Sequence, residues 1–506
     1  MKKSMQSVNQ KTNENILAAS GPVIGRRNFL AYAGMAAAGL VARPVWAEEN
    51  SRIVSLRDAH KGTLEIDLRI MNQYRTQPQA VQDFYTKARA ALTGPNPVET
   101  LAELCRSDKR VKVGGPMLGD LTATGVAVWM HLPEPLGVEV SVSPRAGGPS
   151  KKFTSEPGER FHWVRCEGLL ADTGYSYVVT DSKGRRLGSG DFMTVPEGFS
   201  EESFQIAFGT CFHKVGLYRP ELMQLVQERG NRAMLVLGDC AVDDRKCDYD
   251  LINADYVLRD LSPPWQQMVA NVPVFTSWDD HDYWHDDASG TETRGQSIDV
   301  EGLRKMWQTQ WNNPDREVER KGIYYDTHIG PVHFIALDTR SCRIIEERGE
   351  LNSFLGEEQM NWLKQTLQES TASYILLSSG TMWTDYISAG KDSWGTWDTE
   401  GREEIFQLID AKENSKVILL SGDRHGARGF AIPRPGNKKI YEFEAATLGG
   451  VPGPGPFGKD RSAQLFGLRS GSWAFGEFVF KTVNDVPQAT FHLINERGET
   501  LETVVV

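Results

Sequence analysis

The sequence predicts an α/β protein in which a small all-β sandwich domain precedes a layered α/β domain. From residue 203 onward, continuous apolar runs such as 234–237 alternate with amphipathic helical stretches such as 219–228. This alternation is typical of buried strands covered by helices. Residues 111–196 instead show short strands of alternating polarity between Gly and Pro turns, which indicates a β-sandwich. A length of 506 residues accommodates both domains.

The composition is that of a globular protein with room for large cores. Hydrophobic residues make up 40% of the chain and charged residues 24%, which argues against a disordered, collagen-like or polytopic membrane protein. The formal net charge is −11, so the surface repels phosphate backbones and no nucleic-acid-binding surface is expected. Small anionic substrates remain possible, because local cations or metals can dominate the field in a cleft.

Residues 1–47 predict an export signal rather than part of the fold. Arg26 and Arg27 precede a short, weakly apolar run, and the segment 45–47 (Val-Trp-Ala) ends in Ala47, where a signal peptidase would cut. The run is too short for the ~20 residues that a membrane span needs. Paired arginines in this position resemble a twin-arginine signal, which the twin-arginine translocase reads. We therefore expect a soluble protein that is exported in folded form, is periplasmic or secreted, and has no stable membrane span.

The remaining chain is expected to contain three segments. Residues 48–110 have a helical pattern to which we assign no chemistry, 111–196 form the β-sandwich, and 203–506 form the layered α/β domain. Two late strands, near 477–480 and 488–493, alternate in polarity again and are expected to close an edge of the sheet.

Polar residues collect directly after the buried strands of the α/β domain. The residues concerned are Cys211, His213, Asp239, Asp280, His281, Asp286, Asp338, Arg340, Asp423, Arg424 and His425. Open α/β sheets bind ligands at the carboxyl ends of their strands, so residues from several strands should meet at one rim. A single Asp after a strand is usually a turn or cap residue, but this recurrence favours a metal site.

The chemistry of these residues suits a pair of metals. Two metals about 3.5–4 Å apart need a shared carboxylate, and Asp239, which follows the permissive Gly238, is the best candidate for that bridge. The thiolate of Cys211 suits a softer or redox-active metal, whereas carboxylates such as Asp280 favour hard ions. His281 adjoins Asp280, so it can orient an anionic substrate or protonate a leaving group.

The segments GTCFH, LVLGD, WDDHD, LDTR and SGDRH resemble, in this order and spacing, the alkaline phosphatase D (PhoD-like) family of metallophosphoesterases. The resemblance runs from about residue 204 to the end and takes in residues 115–120 as the start of the family's N-terminal β domain. It implies a four-layer αββα sandwich at 203–506, a phosphatase domain that hydrolyses phosphate monoesters or diesters at an iron–calcium cluster.

The resemblance also implies roles for individual residues. Cys211 and His425 would hold Fe³⁺, Asp239 would bridge, and Asp280 and Asp423 would bind the second metal, Ca²⁺. Asp286 stands where the family often has an Asn ligand and would coordinate calcium, and Arg340 would face the phosphate. His285, His213 and Arg424 are expected near the substrate or behind the ligands.

One position departs from the family pattern. The family usually has an iron-binding Tyr three residues beyond the Asp of Gly-Asp, and here that position is Val242, which cannot ligate. Asp243 or Asp244 could supply a carboxylate instead, or the iron site could be weakened. Other divalent metals are therefore possible.

The leading hypothesis is an exported phosphoesterase that acts on a small phosphate ester. A metal-bound hydroxide would attack phosphorus, the metals and Arg340 would stabilise the developing charge, and His281 would assist departure of the alcohol. Two alternatives are a phosphodiesterase acting on phospholipids or envelope polymers, and a catalytically silent protein that binds a phosphorylated ligand.

Overall fold

The structure is a computed structural model, and it describes residues 53–240, 242, 248–293, 296–316, 319–387, 392–458 and 461–506. The predicted export signal, with Arg26, Arg27 and Ala47, lies outside the described residues, as do Asp243 and Asp244. Among the helices that are described, none combines the length and the apolar character needed to cross a bilayer.

The helices and strands alternate along most of the chain. The helices are α1 (Leu56–Ala59), α2 (Leu64–Asn72), α3 (Gln79–Leu92), α4 (Pro97–Ser107), α5 (His213–Gly216), α6 (Pro220–Glu228), α7 (Tyr249–Asp260), α8 (Pro263–Val269), α9 (Asp280–Tyr283), α10 (Val300–Gln310), α11 (Gly356–Glu369), α12 (Trp394–Trp397) and α13 (Thr399–Asp410). The strands are β1 (Gly114–Gly119), β2 (Val126–His131), β3 (Val138–Pro144), β4 (Lys151–Ser155), β5 (Phe161–Cys166), β6 (Gly174–Asp181), β7 (Arg186–Met193), β8 (Phe204–Gly209), β9 (Ala233–Leu237), β10 (Val274–Ser277), β11 (Glu292–Thr293), β12 (Gln296–Ser297), β13 (Tyr325–Ile329), β14 (Val332–Ala336), β15 (Tyr374–Ser378), β16 (Lys416–Ser421), β17 (Ala427–Pro433), β18 (Lys439–Ala445), β19 (Gln464–Leu468), β20 (Ala474–Val483), β21 (Val486–Asn495) and β22 (Thr500–Val505).

Two large mixed sheets form the centre of the fold. The nine-stranded sheet has the order β22-β21-β20-β8-β9-β10-β1-β2-β5, and the seven-stranded sheet has the order β13-β14-β15-β16-β18-β17-β19. Neighbouring strands β8, β9 and β10 run parallel, as do β14, β15 and β16. The carboxyl ends of these parallel strands therefore share one edge in each sheet. The late strands predicted near 477–480 and 488–493 correspond to β20 and β21, whereas β22, which was not predicted, forms the outer edge of the nine-stranded sheet.

The two sheets and their helices form four layers. On β9, Leu235 belongs to the core between the sheets, whereas its neighbour Val236 packs with the helices on the outer face. On β15, Leu376 belongs to the same inner core and Ile375 packs against α11, α12 and α13. Because side chains alternate across a strand, each sheet is apolar on both faces and is covered on both. The predicted four-layer αββα architecture is confirmed.

The all-β segment is tied directly into the larger sheet. A four-stranded sheet, β4-β3-β6-β7, forms one layer, and β1, β2 and β5 form the other. Val128 and Val140, both fully buried, belong to their common core. However, β1 also pairs parallel with β10, so this layer continues the nine-stranded sheet. Pairing with β1 satisfies the backbone groups that β10 would otherwise expose at an edge.

The segment before the β-sandwich is helical, as predicted, and it is anchored by buried charges. The ammonium group of Lys214, in α5, lies 2.7 Å from carboxylate oxygens of both Asp67 in α2 and Asp255 in α7. The amide of Gln73 donates to the carbonyl of Val215 at 2.7 Å. These contacts fix α2 to α5, which follows β8.

Candidate active site

The loops that follow the parallel strands bring the predicted site residues together. The loop after β8 carries Cys211 and His213, and the turn after β9 carries Asp239. An added Cβ at Gly238, whose φ is +100°, would lie 2.6 Å from the Cβ of Asp279, so the turn here requires glycine. The loops after β10, β14 and β16 supply the remaining residues from both sheets.

Backbone strain is concentrated at this point. Several site residues have left-handed φ angles although they carry side chains: Cys211 (54°), His213 (48°), Asp239 (53°), Asp423 (69°) and His425 (45°). Such a conformation costs on the order of 1–3 kcal/mol per residue and persists only where the surroundings impose it. The observed strain supports a functional role for these loops.

A first cluster of donors combines sulfur, nitrogen and oxygen. One donor atom each from Cys211, His213, Asp239 and His425 lies within 4.8 Å of the others. The Nε2 atoms of the two histidines are 3.3 Å apart, and that of His213 is 3.5 Å from Asp239 Oδ2. A thiolate, two imidazoles and a carboxylate form a donor set suited to a transition metal such as iron or zinc. His213, expected only near the substrate or behind the ligands, is therefore a candidate ligand itself.

The Pro- and Gly-rich loop at 449–456 orients His425. The Nδ1 atom of His425 lies 3.0 Å from the carbonyl oxygen of Pro452. When Nδ1–H donates to that carbonyl, Nε2 is left with its lone pair toward the donor cluster. An added Cβ at Gly453 would lie 2.5 Å from the Cβ of His425, so glycine permits this approach.

A second group of donors consists mainly of carboxylates and shares Asp239 with the first. Donor atoms of Asp239, Asp279 and Asp280 lie within 4.8 Å of one another, and Asp280 forms a further group with His281 and Asp286. Within the described residues, one carboxylate oxygen of each of the first three is buried and accepts no hydrogen bond. Buried carboxylates of this kind are costly unless cations neutralise them. The donor set therefore fits a pair of metals bridged by Asp239.

The acid–base properties of the first cluster reflect an excess of buried negative charge. Burial, reinforced by Asp280, raises the pKa of Asp239 well above its usual value. Burial and Asp239 likewise raise the pKa of the Cys211 thiol. Burial and His213 lower the pKa of His425 to about 3. Metal binding deprotonates such thiols and carboxyl groups, so ion and protons compete for the same donors.

Asp279 and Asp280 titrate differently although they are adjacent. Burial raises the pKa of Asp279 to about 6, even though Arg340 opposes the rise. Burial also acts on Asp280, but Arg340 and His281 outweigh it and hold its pKa below the usual value. Asp280 is therefore ionised in the folded protein, whereas Asp279 can carry a proton near neutral pH.

Arg340 is buried and surrounded by carboxylates. It is 0% exposed, its Nε donates to Asp279 at 2.5 Å, and its NH1 lies 2.7 Å from Asp392. Its NH2 is 3.8 Å from Asp280. The sequence predicted that Arg340 faces the phosphate, and the structure shows its guanidinium paired with three acidic residues, Asp279, Asp280 and Asp392. Its assignment as a catalytic and substrate-binding residue stays a prediction, and the geometry favours a role in holding the carboxylates.

The contacts of the other predicted residues are more local. Arg424, with 14% of its side chain exposed, donates to Asp423 at 3.1 Å. The Nδ1 atom of His285 lies 3.0 Å from the carbonyl oxygen of Asp286. The carboxylate of Asp286 is 64% exposed and lies 4.0 Å from Nε2 of His281.

Val242 and three further residues differ in how far the sequence predicts their places in the site. Val242 is fully buried in an apolar cluster, so this position supplies no donor. His213 stands two residues from Cys211 in the same segment, and that proximity was the available signal for its place in the cluster. Asp279 was visible as part of WDDHD, but nothing in the sequence assigned it a partner. Asp392, which pairs with Arg340, gave no signal because it follows no predicted strand.

Comparison with known proteins agrees with this architecture. Residues 252–450 match the family described as PhoD-like phosphatase. Alkaline phosphatase D of Bacillus subtilis (strain 168) is 27% identical over 190 residues, which cover 31% of this chain and 32% of that protein. The match thus spans about a third of the length of this curated relative.

A solved structure described as the structure of PhoD shows the same fold. It aligns with a TM-score of 0.60 at 16% identity and covers 78% of this chain and 93% of that chain. The likeness extends well beyond residues 252–450, although at this identity it concerns the fold alone. Residues 252–450 thus match the PhoD-like phosphatase family by sequence, and most of the chain shares the fold of the structure described as PhoD.

Proposed function

We propose that this protein hydrolyses phosphate monoesters or diesters at a site for two metal ions. The observation that carries the proposal is the position of Asp239, which belongs both to the Cys–His cluster and to the carboxylate group. A carboxylate shared between two ion sites is the arrangement that two-metal phosphoester hydrolysis requires. The match of residues 252–450 to the PhoD-like phosphatase family supports the same reaction class.

The two halves of the site differ in the metals they would hold. Cys211, His213 and His425 offer sulfur and nitrogen, and we propose Fe³⁺ here, as in the resembling family, with zinc or another divalent ion as the alternative. Asp280, Asp286 and Asp423 would hold Ca²⁺ or another hard ion. When bound, the ions would supply Lewis acidity and lower the pKa of a water molecule.

Side chains of the protein would bind the phosphate ester and donate a proton to its leaving group. The partly exposed guanidinium of Arg424 would contact the phosphate, and His285 would line the same side. His281, whose Nε2 lies 4.0 Å from the carboxylate of Asp286, would donate a proton to the leaving-group oxygen. Arg340 would fix Asp279 and Asp280, because a buried ion pair holds both partners in place.

We propose further that the protein is exported through the twin-arginine translocase and is periplasmic or secreted. Arg26 and Arg27 before a short apolar run support this proposal. Replacing both by Lys should trap the full chain inside the cell, which fractionation and immunoblotting would detect. Unchanged export of that variant would rule out this route.

The test of the hydrolase proposal is elemental analysis combined with an assay on bis-nitrophenyl phosphate and nitrophenyl phosphate. The purified protein should contain metal, lose turnover on chelation and regain it when metal is restored. Asp239→Asn should lower kcat by at least ~10²-fold and reduce metal content. Asp172→Asn is the matched control, since Asp172 also has a left-handed φ (47°) but pairs with Arg232 away from the donor clusters. Metal and phosphate binding without turnover of either ester would instead identify a silent binding protein.

A further inference from the structure

The helical N-terminal segment brings one more histidine to the site. The imidazole rings of His60 and His281 are stacked, with centroids 4.7 Å apart and an interplanar angle of 30°. The two residues are separated by more than 200 positions in sequence, and His60 comes from the segment to which sequence analysis assigned no chemistry. The contact therefore arises only from tertiary structure.

His60 is held firmly by the segment that carries it. It follows α1, its backbone N–H donates to the carbonyl of Leu56 at 2.8 Å, and the preceding Ala59 is fully buried. Ser55 caps the start of the helix by accepting a hydrogen bond from Asp58 N. Since α1 is too short to be stable alone, its position depends on the tertiary contacts of the segment.

Those contacts lead to the same loop that carries the metal donors. Val54 N donates to the side chain of Gln73, and Gln73 in turn donates to the carbonyl of Val215. Lys214, between His213 and Val215, is paired with Asp67 of α2. The segment is thus braced against α5 on one side and presents His60 to His281 on the other.

The ring of His281 is confined from two directions. His60 covers one face, and His213 meets the ring at 5.3 Å with an interplanar angle of 77°. Rotation of the His281 side chain would break both contacts. Stacked and edge-on aromatic pairs each contribute modestly, but together they restrict a ring to one orientation.

We propose that His60 is a positioning residue that holds the imidazole of His281 in its reactive orientation by ring stacking. This inference rests on the proposed function, in which His281 donates a proton to the leaving group. A proton donor must lie within hydrogen-bond reach of the oxygen it serves, so loss of orientation lowers the rate without loss of substrate binding.

Two variants separate stacking from simple structural damage. His60→Ala removes the ring and should lower kcat for bis-nitrophenyl phosphate by up to about 10²-fold, with KM and metal content unchanged. His60→Phe keeps a ring of similar size and should recover most of the wild-type kcat. His328→Ala is the matched control, because His328 and His333 form another stacked pair (4.4 Å, 8°) outside the donor clusters. This control should leave kcat unchanged.

A spectroscopic measurement makes the test independent of turnover. In histidine-labelled, zinc-loaded protein, the ring protons of His281, assigned with His281→Gln, should carry a ring-current shift that disappears in His60→Ala and returns in His60→Phe. Wild-type shifts in His60→Ala, or a kcat that falls equally in the Ala and Phe variants, would overturn the proposal. If the wild type shows the ring-current shift but hydrolyses neither ester, the proposed function fails while the stacking contact stands.

Discussion

The buried charges that anchor the helical segment allow a quantitative prediction. Lys214→Met removes a cation whose side chain is 1% exposed and which lies 2.7 Å from each of two carboxylates, Asp67 (0% exposed) and Asp255 (2% exposed). Removing one partner from a buried ionic group typically costs about 3–5 kcal/mol, because uncompensated charge remains in a medium of low polarity. Tyr85 and Arg89 still contact Asp67, which favours the lower end of that range.

The assay is hydrogen exchange of the amides of α2, read by mass spectrometry. If the ion group controls local opening of the helical segment, 3–5 kcal/mol corresponds to exchange that is roughly 10²- to 10⁴-fold faster. The matched control is Lys305→Met, since Lys305 makes a pair of the same length (2.7 Å) with Glu301 on the surface, where both side chains are more than 60% exposed. That variant should exchange like the wild type.

One result would refute this reasoning. If the α2 amides of Lys214→Met exchange at the wild-type rate, the buried ion group does not hold the segment in place. Combining Lys214→Met with Asp67→Leu and Asp255→Leu should restore part of the lost protection of the α2 amides from exchange. A well-packed apolar group can replace a buried ionic one.

Three further predictions concern the site and the acid stability of the fold. His281→Ala should retain its metal content while turnover falls by ~10²-fold or more, and unchanged turnover would remove His281 from the mechanism. Gly453→Ala should displace the loop from His425 and lower metal content, measured by elemental analysis, because the added Cβ would lie 2.5 Å from the Cβ of His425. Burial lowers the pKa of His131 to about 3, whereas an unfolded histidine titrates near about 6.5. The unfolded chain then takes up a proton that the folded chain does not, so the free energy of unfolding should fall as the pH drops from about 6.5 to about 3. His131→Phe should weaken that dependence in urea titrations, and an identical pH profile would contradict the assignment.

The layered fold could be predicted because periodicity reports burial. Runs such as residues 234–237 are apolar at every position, and the structure covers β9 on both faces. The pairing partners of the strands could not be predicted in the same way. The alternating polarity of the β-sandwich strands is visible in the sequence, but the parallel pairing of β1 with β10 is not, because the polarity of a strand does not specify its neighbour.

The site was predictable where donors follow strands and not where the tertiary structure supplies them. Cys211, Asp239 and His425 do lie together, because the ends of parallel strands converge. The position of Arg340 depended on acidic residues from other loops, Asp279 and Asp392, that compete for its guanidinium. His60 approaches His281 only because the helical N-terminal segment, which is distant in sequence, packs against α5.

Strands that are distant in sequence are neighbours in the nine-stranded sheet, so no short continuous stretch of the chain contains the whole site. Within the span that matches the family, 252–450, β10 would lack both of its neighbours, β9 and β1, and the cluster would lose Cys211 and Asp239. A truncation library should therefore yield no small autonomous catalyst, and split halves should regain turnover only on reassociation. Recovery of turnover on mixing the two halves would then measure how far they have assembled into the complete fold.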